Sequence, residues 1–459
     1  LATAAKDRTA FSTRAESDTS AAASGPARHH FDWGGATVAA LWSAPLAPGT
    51  QLNANVWRAE FDGDATWFAA APLHMSSARQ TVGVHASLVR QHQRGEARAG
   101  FDFMHDHVAY RVRDDATTMD VVPGTLLGAS EASTALFAEY LARVDAHWDV
   151  RPGVRTTLLA SGAALFEPRL AIAFRATPGF SVTGGVARAY QTVQSLRNPE
   201  SPAVTVFGVD LPVLSRGRIP IARSDEATLA VSALADERLR LTLDWYGRRL
   251  TDLSVVATGS AVPFAAQHPS VGDGYAWGFG STVELRLERL TGRLAAGAGR
   301  TRIHLSDSTV PGATAFQPGF ATTHSLTAAA AYRVGDATSI RSAVFARWGR
   351  RTTLFDGALD WEGCDALNGG CEIAGSPGRS LGAVSGARVP AYLRWDIGVR
   401  RAWTPRFAGR DLELDAYATV RNVLDRRNVW SWTAQGDEPA RRLMLRPLSV
   451  LTAGLDFRY

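Results

Sequence analysis

The residues best suited to chemistry in this 459-residue chain fall into a few small groups. The most metal-like is Met104-His105-Asp106-His107. On an extended strand His105 and His107 share a side, as two ligands of one ion would. A zinc site takes at least three protein ligands, and no third stands near this pair in the sequence. His29-His30 adds nothing more, so no metal site is assigned. Charged residues form the next group: Glu284, Arg286 and Glu288, with Arg240 and Asp244, and separately Arg394 with Asp396. Paired carboxylates are the raw material of general acid–base catalysis. Charges at every second position of a strand also make a solvated network on one face. No Gly-rich phosphate loop, nucleophile elbow or zinc-peptidase pattern accompanies these residues. No catalytic residue and no cofactor is therefore assigned, and the chain is not read as an enzyme.

Aromatic residues and cysteines remain. Trp361, Phe316, Phe320, Trp430 and Trp432 lie in or beside long connections. They suit two roles, gripping an apolar or aromatic ligand or anchoring at a membrane interface, and the sequence leaves both open. Cys364 and Cys371 are the only cysteines. Without a histidine or a second Cys pair nearby they do not complete a zinc site. A short disulfide pinching a Gly-rich loop in an oxidising compartment suits their spacing, two free thiols being the alternative.

The elements that carry these residues read as strands. The terminal segment alternates strictly: Leu451, Ala453, Leu455, Phe457 and Tyr459 take one side, and Thr452, Gly454, Asp456 and Arg458 the other. Leu239, Leu241, Leu243 and Trp245 likewise oppose Arg240, Thr242, Asp244 and Tyr246. Leu393, Trp395, Ile397 and Val399 oppose Arg394, Asp396 and Arg400. Hydrophobic content is 46%, yet no stretch approaches the roughly 18–20 apolar residues of a membrane helix. Strands with one apolar and one charged face can cross a membrane only as a closed barrel. Net charge is +5, and Lys6 is the only lysine among 49 basic residues. The arginines are dispersed singly over strands rather than gathered in a patch, which argues against a nucleic-acid partner.

Connections discriminate between a barrel and a soluble sandwich. Short ones are expected near 48–50, 94–96, 152–153, 178–179, 236–237, 291–292, 335–338 and 406–410. Long ones are expected near 114–132, 194–224, 258–274, 306–322, 355–390 and 425–446. That alternation is the arrangement of short periplasmic turns and long extracellular loops. The reading is all-β: a large antiparallel transmembrane β-barrel of about eighteen strands over residues 1–459, in the outer membrane of a Gram-negative-type bacterium. The polar sides, with Arg240, Asp244, Glu284, Arg286, Glu288, Arg394 and Asp396, are expected to face the lumen.

Several segments then fall into a familiar order. They are Phe166-Glu167-Pro168-Arg169-Leu170-Ala171-Ile172, Gly184 to Gln191 followed by Asn198-Pro199-Glu200, and Ala227 to Asp252. Leu393-Arg394-Trp395-Asp396-Ile397-Gly398-Val399 and Val420-Arg421-Asn422-Val423-Leu424-Asp425-Arg426-Arg427-Asn428-Val429 complete the set, before an aromatic C-terminus. In this order they resemble the barrel part of TonB-dependent outer-membrane receptors. The resemblance implies uptake of a scarce nutrient such as a ferric siderophore, energised through TonB acting on a plug. It implies as partners the outer-membrane lipid, TonB, a small-molecule or metal-chelate ligand, and the barrel-assembly machinery through Tyr459. Such receptors carry an N-terminal plug and a barrel of about 22 strands. No plug is legible here, and the first strands are expected to be missing as well. A plugless passive pore, or a structural component of an envelope complex, is the alternative function. If Cys364 and Cys371 are joined, labelling of the unreduced, unfolded protein finds neither thiol; two labelled thiols would refute the bond.

Overall fold

The computed structural model describes residues 2–13, 27–68, 72–114, 127–195, 212–216, 219–255, 270–305, 315–357, 379–381, 383–407, 410–411, 413–433, 441–445 and 450–458. Eighteen strands make one antiparallel sheet. They are β1 (Ala2–Thr13), β2 (Ala27–Ala47), β3 (Thr50–Phe68), β4 (Pro72–His92), β5 (Gly95–Asp114) and β6 (Leu127–Arg143). β7 (Trp148–Leu159), β8 (Ala164–Thr177), β9 (Phe180–Gln191), β10 (Ala222–Ala235), β11 (Leu239–Val255) and β12 (Ser270–Arg286) follow. β13 (Leu290–Leu305), β14 (His324–Arg333), β15 (Thr338–Trp348), β16 (Tyr392–Trp403), β17 (Glu413–Val420) and β18 (Leu451–Arg458) complete it. Each strand pairs with its sequence neighbours, an up-and-down order with no crossover. No helix occurs among the described residues. A sheet this large with one apolar and one charged face is the wall of a large β-barrel.

Register makes the two faces continuous. Leu241, Val283, Leu294, Ala328, Val344 and Trp395 stand side by side across six strands. One residue along, Arg240, Glu284, Arg293, Ala329, Ala343 and Asp396 form the matching row on the other face. A slip of one residue would exchange the rows, so each pairing is fixed by both its neighbours. The apolar face is not packed on a second layer: Leu136 is 64% exposed, Leu451 62% and Phe279 57%. Aromatic side chains border this band. Tyr140, Trp148, Phe174, Phe180, Tyr332 and Trp403 sit toward the short-turn end. Trp245, Phe279, Trp277 and Trp348 sit toward the other.

The short connections are 48–49, 93–94, 144–147, 178–179, 236–238, 287–289, 334–337 and 404–412. Longer ones, such as 192–221 and 349–391, leave the opposite rim, although those after β3 and β7 are brief. Several expected boundaries move. Pro152-Gly153 is not a turn but lies inside β7, opposite Leu170 and Arg169 of β8. On its β6 side the ladder lapses between Glu139↔Gly153 and Ala142↔Val150, as a residue without an N–H requires. The turn falls instead at 144–147, where Asp145 accepts the amides of His147 and Trp148 at 2.7 and 2.8 Å. Those amides hold its carboxyl below the usual carboxylate range. The 114–132 connection is shorter than expected because β6 begins at Leu127. The expected 291–292 turn lies within β13, the chain reversing at 287–289.

β17 stops at Val420, so the start of β16 lacks a strand partner, and the chain after Val420 supplies one. Val423 N–H donates to the Trp395 carbonyl at 2.8 Å, and Asn422 N–H to Asp396 Oδ1 at 2.9 Å. Asn428 accepts from Leu393 N–H and donates to its carbonyl, at 2.9 and 2.8 Å, standing in for a ladder residue. Asn422 adopts φ 52°, a left-handed conformation that asparagine tolerates. Replacing Asn428 by Leu strands both Leu393 groups and is expected to cost about 1–3 kcal/mol, read by urea unfolding of the membrane-inserted protein. Leu243→Arg, in mid-band, is expected to cost about 2–4 kcal/mol in the same assay. Thr242→Arg on the other face should cost little; equal penalties would contradict the assignment of faces.

Candidate functional site

The candidate site is the charged face together with the connections that close over its long-loop end. Ion pairs run along this face from strand to strand. Arg169 meets Glu139 at 2.7 Å and Arg175 meets Asp149 at 2.5 Å. Arg248 meets Glu226 at 2.6 Å, and Arg400 pairs with Asp415 through two guanidinium nitrogens. The last three join adjacent strands, while Arg169 of β8 reaches Glu139 of β6 across Gly153 of β7, so the same register that sorts apolar from polar side chains also sorts charges into pairs.

Nearer the long-loop end is a denser cluster. His85 Nδ1 lies 2.5 Å from Asp102 Oδ1, and Arg155 pairs with both Asp102 and Glu167. Thr157 donates to Glu167 at 3.2 Å, and the His85 ring stacks on Phe137 with centroids 5.5 Å apart. Ser87 Oγ is 3.3 Å from His85 Nε2, which completes a serine–histidine–aspartate order. It is not a nucleophile's environment: Ser87 is 1% exposed, and Asp102 is shared with Arg155. The cluster cross-links β4, β5, β7 and β8.

The residues singled out from the sequence separate as follows. Arg240, Glu284 and Arg286 share the charged face, with Glu284 4.0 Å from both Arg286 and Arg293. Glu284 and Arg286 border a cavity of about 500 Å³ whose lining also includes Arg341 and Asp396. Asp244 is on the same face, its carboxylate over Gly280, where a Cβ would come within 2.4 Å of it. Glu288 lies beyond the strand in the 287–289 turn, because β12 ends at Arg286. Arg394 pairs with Asp396 at 2.9 Å and packs over the Phe345 ring at 4.7 Å. Asp396 is 9% exposed and spends its other oxygen on Asn422 N–H, so it is first a structural acceptor. His105 and His107 share a side, as the spacing requires, and stand on the face of Val82, Val84 and Phe103, where His107 reaches Ser130 at 2.8 Å.

The connections form a second layer. Phe316 bridges to Ile303 of β13. Gln317 donates to the carbonyls of Ala321 and Gly349, and Ser385 Oγ donates to the Gln317 carbonyl at 2.5 Å. Thr353 accepts Ser385 N–H at 2.9 Å. The 306–323 and 349–391 connections are thus tied to each other rather than hanging separately. Phe320 is 66% exposed on the first of them. Trp432 lies in a hairpin of Asn428–Thr433 and Arg441–Leu445, beneath the Arg442 guanidinium at 5.3 Å. Trp430 belongs to the same hairpin. No ring contact joins Phe316, Phe320 and Trp432 among the described residues. Trp361, Cys364 and Cys371 lie outside the described residues.

One element escaped the sequence analysis. The 192–221 connection carries a short hairpin, Val193–Ser195 with Pro212–Leu214. Pro212–Leu214 does not stay above β9 and β10 but packs against β4, β5 and β6. Val213 and Leu214 are 3% and 5% exposed there, and Val108 and Tyr110, on the charged-face parity of β5, are each 2% exposed. Gln194 secures the base, donating to the Pro220 carbonyl at 2.6 Å and accepting Ser254 N–H at 2.9 Å. A connection thus folds against the charged face of β4 to β6. The apolar pair Val213-Leu214 within a long connection was the available signal.

Comparison with known proteins follows the same lines. Residues 5–423 match the family described as TonB dependent receptor-like, beta-barrel. No curated protein sequence matches. Among solved structures, the ferric-catecholate import receptor Fiu of E. coli K12 aligns with TM-score 0.61 and 11% identity, over 94% of this chain and 65% of its own. The ferric yersiniabactin uptake receptor FyuA of Yersinia pestis aligns with TM-score 0.61 and 11% identity, over 95% of this chain and 61% of its own. The iron transporter FrpB of Neisseria meningitidis aligns with TM-score 0.59 and 11% identity, over 99% and 67%. The chain thus spans somewhat under two thirds of the first two structures it matches. At this identity the likeness is one of fold, while the family match runs through nearly all the described strands: the chain belongs to the TonB dependent receptor-like, beta-barrel family.

Proposed function

We propose that this chain is the barrel of an outer-membrane receptor that takes up a scarce nutrient, a ferric siderophore being the favoured class, with energy delivered through TonB. The observation that carries the reading is the charged face that continues beneath an interlocked layer of long connections, with Pro212–Leu214 seated within it. A passive pore needs an open path, whereas a receptor needs a loop layer that holds a ligand above a path that can be opened. The proposal places the charged face toward the lumen and the apolar face in lipid, with the long connections extracellular. It couples the barrel to a plug domain, on the same or another polypeptide, and assigns contact with the barrel-assembly machinery to the terminal strand and Tyr459.

Physical chemistry favours an anionic cargo. Arg240 and Arg341 stand on the charged face with no carboxylate in ion-pair range among the described residues. Unpaired guanidinium groups in a confined, low-dielectric channel raise the local concentration of anions such as ferric chelates. The aromatic side chains Trp361, Phe316, Phe320, Trp430 and Trp432 supply apolar contact at the mouth, and a Cys364–Cys371 bridge would stiffen the connection that carries Trp361. The family's members are transport receptors rather than enzymes, in keeping with a charged face whose acids are spent on ion pairs.

Two measurements test this. In planar bilayers the inserted wild-type chain should conduct less than Val213→Ser/Leu214→Ser, by about twofold or more, because the variant loses the apolar seat of the inward segment. Equal conductances would remove that segment from the lumen. A panel of ferric siderophores should include one whose binding to the wild type is weakened tenfold or more by Trp432→Ala, the loss typical of a buried aromatic anchor. Conductance without binding of any ferric chelate would favour the passive pore.

A further inference from the structure

Two buried hydroxyl groups lie where Pro212–Leu214 meets the wall. Ser77 of β4 and Tyr110 of β5 stand directly opposite each other on the inner face, 3% and 2% exposed. Neither Ser77 Oγ nor Tyr110 Oη has a hydrogen-bond partner among the described residues. Their neighbour Asp106, also buried, is fully engaged: it accepts from Thr81 Oγ1 at 2.6 Å and from Arg79 Nη2 at 3.0 Å. A buried hydroxyl without a partner destabilises a fold, and alanine and phenylalanine would fill the same two places without that penalty. The pair is therefore not explained by packing and points to a partner that the closed arrangement keeps out.

The surroundings define that partner. Trp33 and Gly63 share the row of Ser77 and Tyr110, on β2 and β3. Gly63 has no side chain, and the place of its Cβ lies 3.6 Å from Ser77 Oγ and 3.8 Å from the Phe61 ring. Phe31 stands one step nearer the long connections and is 2% exposed. Arg79, one step below Ser77, pairs with Asp106 while 41% of its side chain stays exposed. Two hydroxyl donors and a guanidinium thus stand beside aromatic rings. That set fits a flat ring bearing acceptor oxygens, which packs on the aromatic side chains and takes the hydroxyl protons. Height fits arrival from outside. From Gly95 to Tyr110 β5 climbs about 50 Å at about 3.4 Å per residue. At a tilt of about 40° that is roughly 39 Å along the normal, above an apolar band about 25 Å tall. The cover is held by apolar contact, through Val213 and Leu214, and it belongs to a connection rooted beyond β9, away from the strands it covers.

We propose that the Ser77–Tyr110 seat binds a phenolate or catecholate ring of an incoming chelate, and that Pro212–Leu214 occupies the seat until the ring displaces it. The proposal rests on the receptor reading given above and names the ligand chemistry that reading leaves open. Cargo and connection then compete for one place on the inner face, so the arrival of an aromatic chelate moves a segment that a ring-free chelate leaves where it is.

The test uses the whole chain folded in detergent, with the ferric complexes of catechol and of acetohydroxamic acid as probes and equilibrium dialysis as the readout. The wild type should bind the catecholate at least tenfold more tightly than the hydroxamate. Ser77→Ala/Tyr110→Phe should weaken catecholate binding tenfold or more, with a thermal unfolding midpoint equal to or above that of the wild type. Val213→Ser/Leu214→Ser should tighten catecholate binding threefold or more, and combining the two pairs should abolish the gain. A wild type that prefers neither chelate, a hydroxyl variant that binds catecholate as the wild type does, or a segment variant that binds no tighter overturns the proposal and leaves the receptor reading intact. A hydroxyl variant with a lowered midpoint would make Ser77 and Tyr110 structural groups, which also overturns it. A wild type that binds neither chelate overturns both readings.

Discussion

Lipid cannot hydrogen-bond a peptide group, and the rest of this structure follows from that constraint. A strand that crosses needs a partner on each side, so the chain goes up and down without a crossover, and between β2 and β17 each strand's register is set by both neighbours. Once the ladder is fixed, period two leaves no freedom in where side chains point. Leu241 and Arg240 go to opposite faces because they are adjacent in sequence, and their cross-strand partners Val283 and Glu284 must follow. Apolar band, aromatic borders and ion-paired inner face are therefore one pattern read from two sides. The exceptions are also instructive. Where β17 ends early, side chains and amides of 422–428 replace the missing ladder, because the groups on β16 are too costly to leave unpaired.

How much of this the sequence disclosed depends on how local the signal was. Alternation is local, and the strands carrying Leu239 to Trp245 or Leu451 to Phe457 were legible from it, as was a total near eighteen. Pro-Gly is a local signal too, and at 152–153 it misled. Neighbouring pairings held β7 straight through Pro152, while Asp145 capped the real turn a few residues earlier. Glu288 continued an alternation that the backbone had already abandoned. Asp396 looked like one more channel charge, but its role as acceptor for Asn422 depends on a segment that returns from beyond β17. His105 and His107 share a face, as period two requires, yet which face is set by the register against β4. The inward course of Pro212–Leu214 is wholly non-local, since its seat on β4 to β6 is remote in sequence.

Function follows from what the inner face and the connections do together. Matched in pairs, most of the charges cross-link the strands of the charged face, and Arg240 and Arg341 remain without a carboxylate in ion-pair range among the described residues. Above it, Gln317, Ser385 and Gln194 tie connections to one another and to the wall, so the mouth is a built surface rather than a set of free loops. Family membership and the likeness in fold to solved receptor barrels set the context.

The assignment of the two faces is the claim on which everything else rests, and adjacent residues of one strand test it most directly. A fluorophore attached in turn at position 242 and at position 243 of the membrane-inserted protein reports its surroundings through two quenchers, aqueous iodide and a spin-labelled lipid. The account predicts quenching by iodide alone at 242 and by lipid alone at 243, alternating along β11. Quenching of both positions by iodide, or the reverse order, would contradict it.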